Sequence, residues 1–209
     1  MVLLEVERKF TWKLANLKPL LSNSGHPRFS LIQEGRATSF REVYYDCDDK
    51  LSHKGLWVRE RTCFKPSVSA SEAISTMWEA KQATSQSSFT HSACEEVNDT
   101  CRIQQMINEH IPGHHSSQCN FGLKPTCDFE TFRRTFLADN RFTIVLDQTD
   151  FGHSIGEVEL LAQDAKKAHE EMEAFLNRYK WFFDCSRPKG KLTAYFERFK
   201  SDGAESSQK

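Results

Sequence analysis

The stretch Leu4-Glu-Val-Glu-Arg-Lys-Phe10 decides the fold, because it puts Glu5, Glu7 and Lys9 on one parity and Leu4 and Val6 on the other. Successive side chains of a strand point to opposite sides, so this is a strand with one apolar face and one charged face. The same period-two pattern recurs along the chain. It marks strands over 3–10, 40–47, 56–64, 77–81, 93–97, 129–137, 142–147 and 155–161. The charged faces agree from strand to strand. Trp57, Arg59 and Arg61 share a face, as do Glu79 and Lys81, and as do Glu157 and Glu159 behind Val158 and Leu160. Asp147 lies opposite Leu146 and Ile144, and Glu96 or its neighbour Glu95 adds a carboxylate. Arg133 and Arg134 fall on opposite faces of their strand, and alternation does not choose between them.

Helical spacing is confined to a weak stretch at Leu14, Leu17 and Leu21, a short one at Ile103, Met106, Ile107 and Ile111, and two near the C-terminus. The first of these late helices carries Ala168, Met172, Phe175, Leu176 and Tyr179 after a capping Asp164. The second carries Leu192, Tyr195, Phe196 and Phe199, with Pro188 where it would begin and Lys191 at its start. Helices do not alternate with strands, so the expected class is α+β: a closed antiparallel barrel of about eight strands, flanked by a few helices. The helices supply apolar stripes for the apolar strand faces, which leaves the charged faces pointing inward to line a polar tunnel.

A charge pair such as Glu-x-Glu is commonplace on a solvated strand face, but five strands that agree are not. Lining an enclosed space with acids and bases is costly unless they pair with each other or with a ligand. A polyphosphate with a divalent cation would satisfy both sets: bases for phosphate oxygens, and carboxylates for Mg²⁺ or Mn²⁺. Other phosphate and hydrolase signatures are absent. Gly190-Lys191 has Cys185 where a P-loop needs glycine, and there is no G-x-G-x-x-G, G-x-S-x-G or H-E-x-x-H.

The 209 residues suit one domain over 1–200, with a polar tail at 201–209 that is expected to be disordered. Twenty-eight Lys and Arg balance twenty-nine Asp and Glu, so no overall field recruits nucleic acid or a membrane surface. Four charges in the first ten residues, Glu5, Glu7, Arg8 and Lys9, argue against a secretory leader. With no membrane-length apolar stretch, a cytoplasmic monomer is expected. Seven cysteines without a C-x-x-C pair read as reduced thiols, and a zinc site from Cys119, His114 and His115 has no usual ligand spacing. Ser-rich connections at 66–75, 82–92 and 112–119 read as surface loops.

Glu5-Val-Glu-Arg-Lys9 resembles the E-x-E-x-K signature of the CYTH superfamily, the triphosphate tunnel metalloenzymes, which include class IV adenylyl cyclases, inorganic triphosphatases and thiamine triphosphatases. Tyr44-Tyr-Asp46, Leu56-Trp-Val-Arg-Glu-Arg61, Trp78-Glu-Ala-Lys81, Arg133-Arg134, Asp147 to Phe151, Gly156-Glu-Val-Glu159 and Lys191 follow in the order of that superfamily, over nearly the full chain. Within it the chain looks most like the thiamine triphosphatases, because Trp57 precedes the arginine pair and Thr149-Asp-Phe-Gly152 leads into Gly156-Glu-Val-Glu159. It departs from the animal enzymes in its longer Ser-rich loops and in Cys94, where an aromatic residue is usual.

The resemblance implies that Lys9, Arg59, Arg61, Lys81, Arg134 and Lys191 bind a triphosphate, and it chooses Arg134 over Arg133. It also implies that Glu5, Glu7, Glu96, Asp147, Glu157 and Glu159 hold Mg²⁺, with Mn²⁺ as a substitute, and that Trp57 meets a thiazolium ring. The expected activity is hydrolysis of thiamine triphosphate to thiamine diphosphate and phosphate. Water is the nucleophile, and Lys81 is the candidate to activate it, with Arg59 and Arg61 acting to lower its pKa and nearby carboxylates to raise it. Inorganic triphosphate hydrolysis and ATP cyclisation are rivals with the same site. A non-catalytic polyphosphate-binding module is the rival from another class.

Overall fold

The computed structural model describes residues 4–65, 73–84, 91–114, 120–184 and 188–205. Nine strands form one sheet: β1 (Leu4–Phe10), β2 (Ile32–Glu34), β3 (Thr38–Asp46), β4 (Leu56–Phe64), β5 (Ala73–Ala83), β6 (His91–Val97), β7 (Lys124–Ala138), β8 (Phe142–Thr149) and β9 (Ser154–Ala162). The helices are α1 (Leu14–Leu21), α2 (Thr100–His110), α3 (Ala165–Arg178) and α4 (Lys191–Glu205). Every pairing is antiparallel. The order β3-β4-β5-β6-β1-β9-β8 is closed by β7, which pairs with both β8 and β3, so eight strands make a barrel. β2 is the ninth, laid on the end of β7 beside Phe136, Leu137 and Ala138.

Three apolar clusters follow from the alternation. The outward residues of β1, β8 and β9 (Val6, Phe10, Ile144, Leu146, Val158 and Leu160) pack against Ala168, Met172, Phe175 and Leu176 of α3. Leu56, Val58 and Ala80 on β4 and β5 pack against Ile103, Met106 and Ile107 of α2. The third cluster, Tyr44, Cys127, Phe129 and Phe151, meets Trp57 together with Leu192, Tyr195 and Phe196 of α4, at the end of the barrel where β3 and β8 finish. Asp99 and Asp164 cap α2 and α3 by accepting the backbone N–H of Arg102 and Lys167. Gly156 lies directly across from Phe10, and a Cβ there would stand 2.3 Å from that ring. The glycine leaves room for the Phe10 ring of β1 to lie over β9.

The eight expected strands all form. β2 is a three-residue addition, too short to leave a periodic pattern, and β5 and β7 run longer than their alternation suggests. α4 starts at Lys191, three residues past Pro188, and continues to Glu205. Regular structure thus enters the stretch 201–209 expected to be disordered, because an established helix gains one hydrogen bond per added residue. Residues 206–209 lie outside the described residues, as do 66–72, 85–90 and 115–119 within the Ser-rich connections. His115 and Cys119 of the conceivable zinc site are among them, and His114 contacts the backbone oxygen of Phe121 instead. No helix among the described residues is long and apolar enough to cross a membrane.

Candidate functional site

Alternation carries the charged parity of every barrel strand to the inside. Eight carboxylates (Glu5, Glu7, Glu42, Glu79, Glu96, Asp147, Glu157 and Glu159) and six cations (Lys9, Arg59, Arg61, Lys81, Arg133 and Lys191) share the inward faces or reach them from α4. Their arrangement divides into two halves.

The half formed by β3, β4, β7 and α4 is rich in cations. Glu42 is fully buried at its centre, accepts from Arg61 at 2.9 Å and Lys191 at 2.8 Å, and forms an ion pair with Arg59 at 3.0 Å. Burial pushes its carboxyl up, but Lys191 and the two arginines outweigh that and hold it well below the usual carboxylate range. Asp147, also fully buried, takes both forks of Arg133 at 2.7 Å and Lys191 at 3.0 Å, and its pKa is likewise lowered against burial by Lys191 and Arg133. Glu79 receives Arg59 at 2.6 Å and Arg61 at 3.2 Å. The Arg61 Nε–H is buried without an acceptor among the described residues. Such an orphaned donor is costly, and it marks a place for an anionic oxygen.

The half formed by β1, β5, β6 and β9 is rich in carboxylates. Lys81 is clasped by Glu5 at 2.5 Å, Glu96 at 2.8 Å and Glu7 at 3.4 Å, and Lys9 bonds Glu7 and lies 3.6 Å from Glu157. Glu159 stands opposite Glu7 in the β1–β9 register and makes no ion pair or hydrogen bond among the described residues. Burial, with repulsion from Glu5 and Glu157, pushes its carboxyl up to about 8.

The structure therefore brings together every residue assigned to the site from the sequence except one. Arg134 points outward and pairs with Glu34 of β2 at 2.6 Å, while Arg133 takes the inward place. The register explains the correction. Arg133 faces Asp147 across β7–β8, so it must share the lumen with that carboxylate, and its neighbour must leave it.

Of the two opposed influences expected on the Lys81 pKa, that of the carboxylates prevails. Burial pushes it down, but Glu7, Glu5 and Glu96 more than compensate, and the ammonium is held charged. Trp57 shares the inward face of Arg59 and Arg61, half-buried beside Lys81 in register and against the third apolar cluster. Glu42 and Glu79 had no assigned role. Counting back by two from Tyr44 of the Tyr44-Tyr-Asp46 motif would have placed Glu42 inside.

Among the described residues, no three acidic, His or Cys side chains are grouped so as to hold a metal ion as they stand, because each carboxylate but Glu159 is turned to a lysine or arginine. The donor set nonetheless fits a hard divalent ion. Glu159 lacks a partner beside other carboxylates, and all the available oxygens are of the kind Mg²⁺ or Mn²⁺ prefers. Engaging such an ion requires Glu5, Glu7 or Glu157 to release its cationic partner.

Solved structures share this architecture. A putative adenylyl cyclase from Hippeastrum, described as having a dominant triphosphatase activity, matches with a TM-score of 0.60 at 16% identity, over 93% of this chain and 96% of that one. The barrel fold is shared with that protein. The PH1819 protein of Pyrococcus horikoshii gives 0.60 at 17% identity over 93% and 99% of the two chains, and a putative adenylate cyclase from Bacillus halodurans gives 0.52 at 19% over 95% and 99%. No known family profile and no curated protein matches the sequence. At these identities the likeness concerns the barrel, and the argument for chemistry rests on the residues that line it.

Proposed function

We propose that this chain is a hydrolase of a small organic triphosphate, with thiamine triphosphate the favoured substrate, yielding a diphosphate ester and inorganic phosphate. The observation that carries this reading is the convergence of six cations from β1, β4, β5, β7 and α4 on one enclosed space that also holds eight carboxylates. A ligand with several anionic oxygens could replace the carboxylate partners of the cations and meet the orphaned Arg61 Nε–H. The triphosphatase activity of the Hippeastrum neighbour supports the reaction class.

Lys9, Arg59, Arg61, Lys81, Arg133 and Lys191 would bind phosphate oxygens and absorb the charge that develops as the bridging oxygen leaves. Glu5, Glu7, Glu96, Asp147, Glu157 and Glu159 would hold Mg²⁺, or Mn²⁺ in its place, which when bound neutralises phosphate charge and polarises the terminal phosphoryl group. The lumen carries more carboxylates than cations, so a divalent ion would strengthen the binding of an added polyanion. If Glu5, Glu7 and Glu96 turned to such an ion, Lys81 would lose the carboxylates that hold its proton, which is the condition for it to activate water. Trp57 supports the thiamine end. Its indole beside Lys81 and Arg59 could meet a cationic ring, a contact worth about 0.5–2 kcal/mol.

The test is phosphate release from thiamine triphosphate, tripolyphosphate and ATP, with Mg²⁺, with Mn²⁺ and in excess EDTA. The expected result is metal-dependent turnover with thiamine triphosphate preferred. A preference for tripolyphosphate or ATP would replace the substrate and keep the site, and binding without turnover in any metal would replace the enzyme with a binding module.

A further inference from the structure

Phe40 is an apolar residue on the charged inner face of β3, two positions before Glu42, and is 4% exposed. Its ring lies against three of the six cations: the Arg61 guanidinium carbon is 4.6 Å from the centroid, that of Arg133 5.2 Å, and Lys191 Nζ 5.4 Å. These cations come from β4, β7 and α4, and no single strand register sets their mutual positions. Their hydrogen-bonded partners, Glu42, Glu79 and Asp147, are carboxylates that an incoming triphosphate must displace.

We propose that Phe40 is a positioning residue, a neutral platform that keeps Arg61, Arg133 and Lys191 aimed into the tunnel while their carboxylate partners are exchanged for phosphate oxygens. A ring face attracts cations through its quadrupole and cannot compete for them as a fourth anion would. Because the ring touches all three, it also fills the space across which three like charges would otherwise face one another. A carboxylate at this place would hold the cations more tightly and shut phosphate out. An aliphatic side chain would leave them without a preferred direction. The inference rests on the phosphate-binding reading of the tunnel and deepens it.

The test is titration of the full chain with tripolyphosphate, read by calorimetry, for Phe40→Leu, Phe40→Tyr and a series of fluorinated phenylalanines at position 40 that keep the shape and weaken the ring's quadrupole. Phe40→Leu should weaken tripolyphosphate binding roughly 3- to 30-fold, and Phe40→Tyr should restore it. The fluorinated series should lose affinity in step with fluorine number at an unchanged melting temperature, which a purely packing role would not produce. That series also decides the matter if Phe40→Leu fails to fold. Wild-type affinity across the fluorinated series would overturn the proposal. Arg61→Ala, run in parallel, separates the two levels. If it too binds normally, the phosphate-binding reading itself falls, whereas if it weakens binding while the fluorinated series does not, only the role of Phe40 is lost.

Discussion

At the scale of single residues, the sharpest contrast is between two neighbours. Arg133 bonds Asp147 with both forks inside the barrel, and Arg134 bonds Glu34 on its outside. Charge-assisted contacts contribute about 1.5–3 kcal/mol each, so Arg133→Ala should lower kcat/KM for the triphosphate by at least about tenfold. Arg134→Ala should stay within about twofold, and steady-state kinetics on the two variants reads the difference directly. Glu42 offers a second contrast. Removing the charge by Glu42→Gln leaves Arg59, Arg61 and Lys191 crowded around a neutral amide, and breaking a buried pair in this way costs on the order of 3–5 kcal/mol. Thermal melting should therefore fall in Glu42→Gln, and saturating tripolyphosphate should raise it by more than in the wild type, since the anion supplies the missing charge. An equal ligand-induced rise in both proteins would place the phosphate away from Glu42. The two arginines could not be ranked from the sequence. Alternation gives relative parity within a strand, and Arg133 and Arg134 differ only by which parity is inside, which the partner strand decides.

At the scale of elements, the β7–β8 hairpin shows how the barrel is tied to its surroundings. Asp139 and Asn140 turn the chain with positive φ of 50° and 56°. The Asp139 carboxylate accepts from the Ser30 N–H at 2.8 Å, the Ser30 hydroxyl at 2.7 Å and the Tyr179 hydroxyl at 2.6 Å. Burial raises the Asp139 pKa, but the bonds from Tyr179, Ser30 and Leu31 prevail and leave it below its ordinary value. Burial and the bond to Asp139 push the Tyr179 phenol up to about 12. The signs are opposite in direction and additive in effect. The contribution of Asp139 is present above the unfolded carboxylate value, near 4, and is lost as pH falls through the lower folded one. That of Tyr179 is present below about 10 and is lost as pH rises toward 12. The melting temperature of Asp139→Asn should thus lie below that of the wild type near neutrality, with the gap narrowing in acid below about pH 4. A gap unchanged down to pH 2.5 would show that the charge on Asp139 contributes nothing. Most of this architecture was readable, since eight strands and four helices each carry a period. β2 was not, because three residues hold no period, and neither was the meeting of Asp139 with Tyr179, which lies in no local pattern.

At the scale of the whole molecule, the inward charge was legible because five strands independently placed charges on one parity, and a barrel is the arrangement that makes those parities face each other. What could not be read is how the charges pair: which lysine meets which glutamate depends on the shear of the closed sheet. That closure bears on how the chain must be made. Leu4 pairs with Ala162 and Thr38 with Arg133, so the wall cannot be completed until β9 has been synthesised, and Lys191 arrives later still. Until then the growing chain holds strands with two open edges, the condition in which sheets add strands from other molecules. The repeated Glu and Lys of the future lumen then have a use before any ligand arrives. Where two copies meet in parallel register, like charges fall side by side and repel, so that route by which a half-made barrel could join another is discouraged.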